Sequence, residues 1–208
     1  MIKESYIEYE SFYGCNTKSL FLTHDPKSKS LVVLFPGNKY HVDKSLLYYA
    51  NMATLLKGCD VLGLEYGFYK ANKTFDFEDF DKVVDEIMNI INECTLSSYS
   101  RIYFISKSLG TLFAGEISDQ RRDLDIKNLF LTPIEKTVPY LSNKDCIAVT
   151  GSKDKSFPIS CLDFVRNNTK SEIIIIDEAN HNLETEISAS VNLEILQQIV
   201  KICENFVT

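Results

Sequence analysis

This chain is short of several things that would have named a function quickly. Its first residues, Met-Ile-Lys-Glu-Ser-Tyr-Ile-Glu-Tyr-Glu, are acidic and polar rather than basic and then apolar, so they do not read as a secretory signal. No uninterrupted apolar run is long enough to cross a bilayer. Six cysteines (Cys15, Cys59, Cys94, Cys146, Cys161 and Cys203) lie far apart, with no C-x-x-C pair. That spacing speaks against a zinc site. Because most of them sit within apolar segments, reduced core thiols of a cytosolic protein are expected. Basic residues are not concentrated anywhere and the net charge is −7, which excludes a phosphate-binding surface and with it nucleic acid. Linkers, low-complexity tracts and internal repeats are missing too.

What is present fits an ordinary globular chain of 208 residues, 45% hydrophobic and 25% charged, most simply one domain over residues 1–208. Two N-terminal segments, around Ser5–Tyr13 and Ser19–Thr23, flank a Gly14–Asn16 turn and predict an antiparallel hairpin. Beyond them, short apolar runs recur at Leu31–Phe35, Val61–Leu64, Ile102–Ile105, Leu129–Leu131, Cys146–Val149 and Ile173–Ile176. These runs are apolar without alternation, as in parallel strands covered on both faces. Helical periodicity appears between them, with Phe80, Val83, Val84, Ile87, Met88 and Ile91 on one face. Leu196, Ile199, Val200 and Cys203 form another such face, and segments near Lys44–Leu56 and Leu109–Ile117 complete the set. The alternation predicts an α/β fold: a doubly wound, mostly parallel sheet with helices on both faces and an antiparallel N-terminal hairpin.

Ligands of such sheets bind beyond the carboxyl ends of the strands. Four loops qualify: Pro36-Gly37-Asn38-Lys39-Tyr40, Ser106-Lys107-Ser108-Leu109-Gly110, Thr150-Gly151-Ser152-Lys153-Asp154 and Asp177-Glu178-Ala179-Asn180-His181. They bring a serine, a carboxylate and a histidine to one edge, in the chain order Ser108, Asp154, His181.

On these residues the chain resembles the α/β-hydrolase superfamily, whose nucleophile, acid and histidine follow one another in that order. The resemblance covers nearly the whole chain. The family's elbow, G-x-S-x-G, reads here Ser106-Lys107-Ser108-Leu109-Gly110, with serine in place of the first glycine. A turn this sharp admits only small residues two positions to either side of the nucleophile, which accounts for Ser106 and Gly110. It also places Ser108 at the amino end of a helix, where unpaired N–H groups favour negative charge. A bare strand–helix turn would want small residues as well, and only the partners in the right order lift the motif above that.

Of three histidines, His24 and His41 precede Ser108, so His181 fits the family's base, and an imidazole titrates near neutral pH. Asp154 fits the acid, in a stretch that looks like the family's acid loop. Asp177 is the alternative, being close to His181 in sequence. Asp145 lies at the wrong end of its strand, Asp119, Asp123 and Asp125 follow or end a helix, and Asp163 falls within one. The resemblance further implies an oxyanion hole from the backbone N–H groups of Asn38 and Leu109.

Many relatives carry a helical cap after the strand that here ends near Thr132, but only Pro133 to Lys144 separate it from the next, so an uncovered site is expected. Tyr40, Tyr66 and Phe157, with Phe68, Tyr69 and Ile134, fall near that edge and could line a substrate pocket or equally pack the loops. The resemblance thus implies a cytosolic serine hydrolase without metal or cofactor, acting on a small acyl substrate and needing neither nucleic acid nor membrane. A homo-oligomer stays open. Carboxylesterase comes first and acyl-thioesterase second. The alternative of another class is a non-catalytic binding protein on a hydrolase scaffold.

Overall fold

The computed structural model describes residues 1–94, 96–143 and 146–208, the side chains of residues 142 and 143 excepted. In chain order the elements are β1 (Ile2–Ser11), β2 (Cys15–His24), β3 (Ser30–Phe35), α1 (Ser45–Leu56), β4 (Asp60–Gly63), α2 (Gly67–Lys70), α3 (Phe80–Asn92) and β5 (Arg101–Lys107). They continue with α4 (Leu109–Gln120), β6 (Ile126–Leu131), α5 (Val138–Asn143), β7 (Ile147–Gly151), α6 (Ile159–Asn168), β8 (Glu172–Ile176) and α7 (Ala189–Phe206). One eight-stranded sheet runs in the order β1-β2-β4-β3-β5-β6-β7-β8. The hairpin β1–β2 is antiparallel and joins β4 antiparallel; every pairing from β4 through β8 is parallel.

Strand parity builds the layers. In β3, Leu31, Val33 and Phe35 face one core, while Val32 and Leu34 face the other. The same alternation sends Ile102 and Phe104 of β5 to the first core, and Tyr103 and Ile105 to the second. Helices α3, α4 and α6 close the first core through Val83, Ile87, Phe113 and Val165. Helices α1 and α7 close the second through Leu47, Ala50, Ile199 and Cys203. The apolar runs Leu31–Phe35 of β3 and Ile102–Ile105 of β5 are therefore buried on both faces, each buried Leu, Val or Ile contributing about 1.5–3 kcal/mol.

Two buried carboxylates tie these layers together. Asp60, with no exposure at the start of β4, accepts hydrogen bonds from the His24 N–H (2.8 Å) and the Tyr99 hydroxyl (2.9 Å) and contacts His24 Nδ1 at 3.1 Å. Glu86, on α3 but off the apolar face that its periodicity marks, accepts from the Phe12 N–H (2.6 Å) and Ser11 Oγ (3.1 Å), fastening the hairpin turn to the helix. Burial raises its carboxyl above the usual range.

The chain leaves β3 for β4 on one side, while β5 lies on the other. The loops after β3 and β5 thus part company at a switch point, the crevice where open α/β sheets bind ligands. Between β6 and β7 the chain holds only a turn of 3₁₀ helix, Glu135–Thr137, and the short α5 among its described residues. Among the described residues no inserted domain stands over this edge.

Candidate active site

Strand β5 delivers Ser108 through a turn that few residues tolerate. Ser108 has φ 51° and ψ −119° and caps the amino end of α4. Six non-glycine residues among those described have positive φ, namely Lys39, Asn72, Ser108, Thr132, Glu178 and Leu183. Five of them lie in the loops that directly follow β3, β5, β6 and β8, so backbone strain collects at the edge where chemistry is expected, while Asn72 follows the short helix α2. The Ser108 N–H donates to the Leu131 carbonyl (3.0 Å), and Thr111 Oγ1 donates to the Ser108 carbonyl (2.6 Å), which holds the turn from both sides.

The reason for the small flanking residues proves more specific than a strand-to-helix approach. A Cβ at Gly110 would meet the Phe35 carbonyl oxygen at 2.5 Å and clash with the Pro36 carbonyl as well, so α4 starts tight against the end of β3. Ser106 is fully buried and pairs in register with both Phe35 and Phe130. A serine can be accommodated there because its hydroxyl reaches the Leu129 carbonyl at 3.4 Å.

His181 arrives on the loop after β8. Asn180 shapes that loop, its side-chain oxygen accepting from the Asn182 N–H (2.8 Å) while its own N–H donates to the Glu184 carbonyl (2.9 Å). His181 Nε2 lies 2.8 Å from Ser108 Oγ, and its Nδ1 lies 2.8 and 2.9 Å from the two oxygens of Asp154. Asp154 comes from the loop after β7; its side chain is fully buried, and it also accepts from the Ser156 N–H (2.8 Å). A carboxylate offers only acceptors, so Nδ1 carries the proton toward Asp154 and Nε2 is left to accept from the serine hydroxyl. The imidazole is 29% exposed and Ser108 is half-buried, so both can be reached from solvent.

Asp177, the other acid considered, is exposed and accepts from Ser152 Oγ (3.1 Å) instead of His181. Asp145 lies outside the described residues. Asn38 sits at the tip of a tight turn closed by reciprocal Gly37–Tyr40 backbone bonds of 3.1 and 3.2 Å. A Cβ on Gly37 would come within 3.0 Å of Ser108 Cβ, so this turn lies directly against the serine. Neither the Asn38 N–H nor the Leu109 N–H has a hydrogen-bond partner among the described residues. Leu109 opens α4, where no intrahelical carbonyl is available to its N–H.

The aromatic residues divide. Tyr66 and Phe157, expected to line a pocket, are 2% and 1% exposed and belong to the first core. Tyr66 stacks on Phe68 and its hydroxyl donates to the Pro36 carbonyl (3.2 Å); with Tyr69, which donates to the Gly37 carbonyl, it braces the turn from beneath. Neither Tyr66 nor Phe157 presents surface to a ligand. Tyr40 is half-buried, and its hydroxyl accepts from the Leu46 N–H (3.0 Å).

Lys107 was not anticipated. It is 1% exposed, directly before Ser108, and burial pushes its ammonium down to about 8 against the pull of Asp154 and Glu184. Strand parity could have placed it, since Tyr103, Ile105 and Lys107 alternate onto one face, but its charge disguised it as a loop residue.

No family model matches the chain, and no curated protein is similar to it in sequence at a significant level. Its fold, however, is similar to that of solved structures. Est1E from Butyrivibrio proteoclasticus, solved with ferulic acid bound, superposes with a TM-score of 0.73 at 12% identity, covering 96% of this chain and 97% of the other. An alpha-beta serine hydrolase homologue from Coxiella burnetii gives 0.70 at 12% identity, covering 95% and 96%. An esterase from Pyrococcus furiosus gives 0.72 at 10% identity, covering 100% and 92%. With identities this low the likeness concerns architecture, and it agrees with the strand order, the hairpin and the layers: the chain has the α/β-hydrolase fold.

Proposed function

We propose that the protein is a serine hydrolase that cleaves small esters. The observation that carries this is His181 bridging Ser108 and Asp154 at 2.8 Å on both sides, with Ser108 on a positive-φ turn at a helix amino end. Ser108 Oγ attacks the ester carbonyl while its proton passes to His181 Nε2. Asp154 holds the imidazole tautomer and steadies the imidazolium without taking the proton. The N–H groups of Asn38 and Leu109 receive the oxyanion. Collapse of the tetrahedral intermediate breaks the C–O bond, and the alcohol leaves with the proton from His181. Water, deprotonated by the same Nε2, then attacks the acyl-enzyme and frees the acid and Ser108. Similarity of fold to esterases and a serine hydrolase homologue supports this reading.

Labelling with a fluorophosphonate tests it. The folded wild type should react at Ser108, and Ser108→Ala should lose the adduct with its melting temperature unchanged. Persistent labelling of that variant would move the nucleophile elsewhere. A folded but unreactive wild type would favour a binding protein.

The missing cap bears on the substrate. With only residues 132–146 between β6 and β7 there is no inserted domain to enclose an acyl chain. An enclosed tunnel would add about 0.8 kcal/mol, or about fourfold in kcat/KM, per buried CH₂. An open edge forfeits most of that. Across p-nitrophenyl esters from acetate upward, below micelle-forming concentrations, kcat/KM should stay within about tenfold; a steep climb toward long chains would reveal a hidden groove or a second subunit as lid.

A further inference from the structure

Among the described residues Lys107 is the one lysine with a fully buried side chain, and no carboxylate lies within 4.0 Å of its ammonium. A cation buried without a carboxylate against it is unfavourable, and an apolar side chain of the same length would suit the second core better. What the ammonium touches gives it a purpose. Nζ donates to the backbone carbonyl of His181 (3.2 Å) and to Thr132 Oγ1 (3.2 Å), and it lies 4.5 Å from the centre of the Tyr40 ring, within cation–π range. Thr132, itself fully buried at φ 45°, follows β6; Tyr40 belongs to the turn after β3; His181 follows β8. Two hydrogen bonds and one cation–π contact thus join three loops that the sheet leaves separate, from the residue directly before Ser108.

We propose that Lys107 is a positioning residue for His181: by holding the histidine's own carbonyl and the Tyr40 turn at once, its ammonium keeps the imidazole in line between Asp154 and Ser108. This rests on the serine hydrolase reading. The contacts are charge-assisted only while Nζ is protonated. Facing it are Asp154 from the loop after β7, Glu184 and His181 from the loop after β8, and Tyr40 from the turn after β3. The two carboxylates favour the cation and burial opposes it, so the balance tips near pH 8.

The test compares wild type, Lys107→Met and Lys107→Gln on p-nitrophenyl acetate from pH 6 to 10. A small displacement of a catalytic base costs up to about 100-fold in rate, so Lys107→Met should lose about 10- to 100-fold in kcat with KM within about twofold. Its melting temperature should be equal or higher. In the wild type kcat should fall above about pH 8, and that alkaline limb should vanish in both variants. Lys107→Gln keeps a donor for the His181 carbonyl without the charge, so its kcat should lie between the other two. An unchanged kcat in Lys107→Met, or an alkaline limb that survives there, would reduce Lys107 to a space filler. Should Lys107→Met fail to fold, Lys107→Gln decides by the same two readings. If the wild type itself neither labels nor hydrolyses, the hydrolase reading fails separately. The His181 Nδ1 proton resonance then decides for Lys107: a displacement in the variants supports the clamp, and an unmoved signal overturns it.

Discussion

Ser108→Ala and His181→Ala should each lower kcat on a small ester by about 10⁴- to 10⁶-fold, and the double variant should be no slower than the worse single one. The expectation follows from the geometry of a relay. On the proposed mechanism, with Ser108 Oγ 2.8 Å from His181 Nε2, the hydroxyl would attack only as fast as the imidazole removes its proton, and the imidazole would have nothing to do without the hydroxyl. Independent contributions would multiply; a relay broken at either point is broken once. Asp154→Asn should cost about 10⁴-fold, because an amide can donate to Nδ1 and so hold the wrong tautomer. Asp177→Asn should change nothing, since Asp177 is engaged with Ser152 and exposed. Single-turnover release of p-nitrophenol measures all five variants. A strictly multiplicative double variant, or a large loss in Asp177→Asn with Asp154→Asn unaffected, would break the assignment of roles.

Most of the architecture could be read from residue patterns, because parallel strands covered on both faces leave apolar runs that no surface element imitates. Strand ends were harder. β5 continues through Ser106 and Lys107 although the apolar run stops at Ile105, since its ladder to β3 and β6 is made by backbone groups indifferent to side-chain polarity. Conversely, Leu64 reads as strand but lies one residue past β4, where it donates once to the Leu34 carbonyl. The positions of Ser108, Asp154 and His181 were legible because a sheet's carboxyl edge can be counted from its strands. What surrounds them was not. Whether Tyr66 faces a ligand or braces Pro36, and whether Phe157 lines a pocket or joins the first core, is settled by packing between distant segments, which has no local signature. The same holds for Asp60 and Glu86, charges that sequence places at the surface and that only their distant partners His24, Tyr99, Ser11 and Phe12 make affordable inside.

Gly151→Ala should cost about 100-fold in kcat and about 1–3 kcal/mol in stability, although residue 151 touches neither Ser108 nor any substrate. Gly151 ends β7, in register with Ile176 at the end of β8, and the two loops that leave these strands carry Asp154 and His181. They cross in close contact. Lys153 donates from its backbone to the Ala179 carbonyl (2.9 Å) and Ser152 to the Ile176 carbonyl (2.9 Å), so the acid loop is laced to the histidine loop just before each delivers its side chain. A Cβ on Gly151 would overlap the Ala179 carbonyl oxygen and approach the Asn180 carbonyl at 2.8 Å. Both are backbone atoms of the segment leading into His181, with no rotamer by which to step aside. The added methyl can be admitted only by parting the loops, and a separation of even an ångström turns the 2.8 Å contact between Nδ1 and Asp154 into no hydrogen bond at all. Gly63→Ala is the matched control, its nearest neighbours being Val42 side-chain atoms at 3.5 Å or more, so it should leave kcat nearly unchanged. Urea unfolding midpoints and kcat for the two variants decide the matter. If Gly151→Ala keeps both, the loops can part and close again without disturbing His181, and the lacing of the two loops is not what spaces Asp154 from His181.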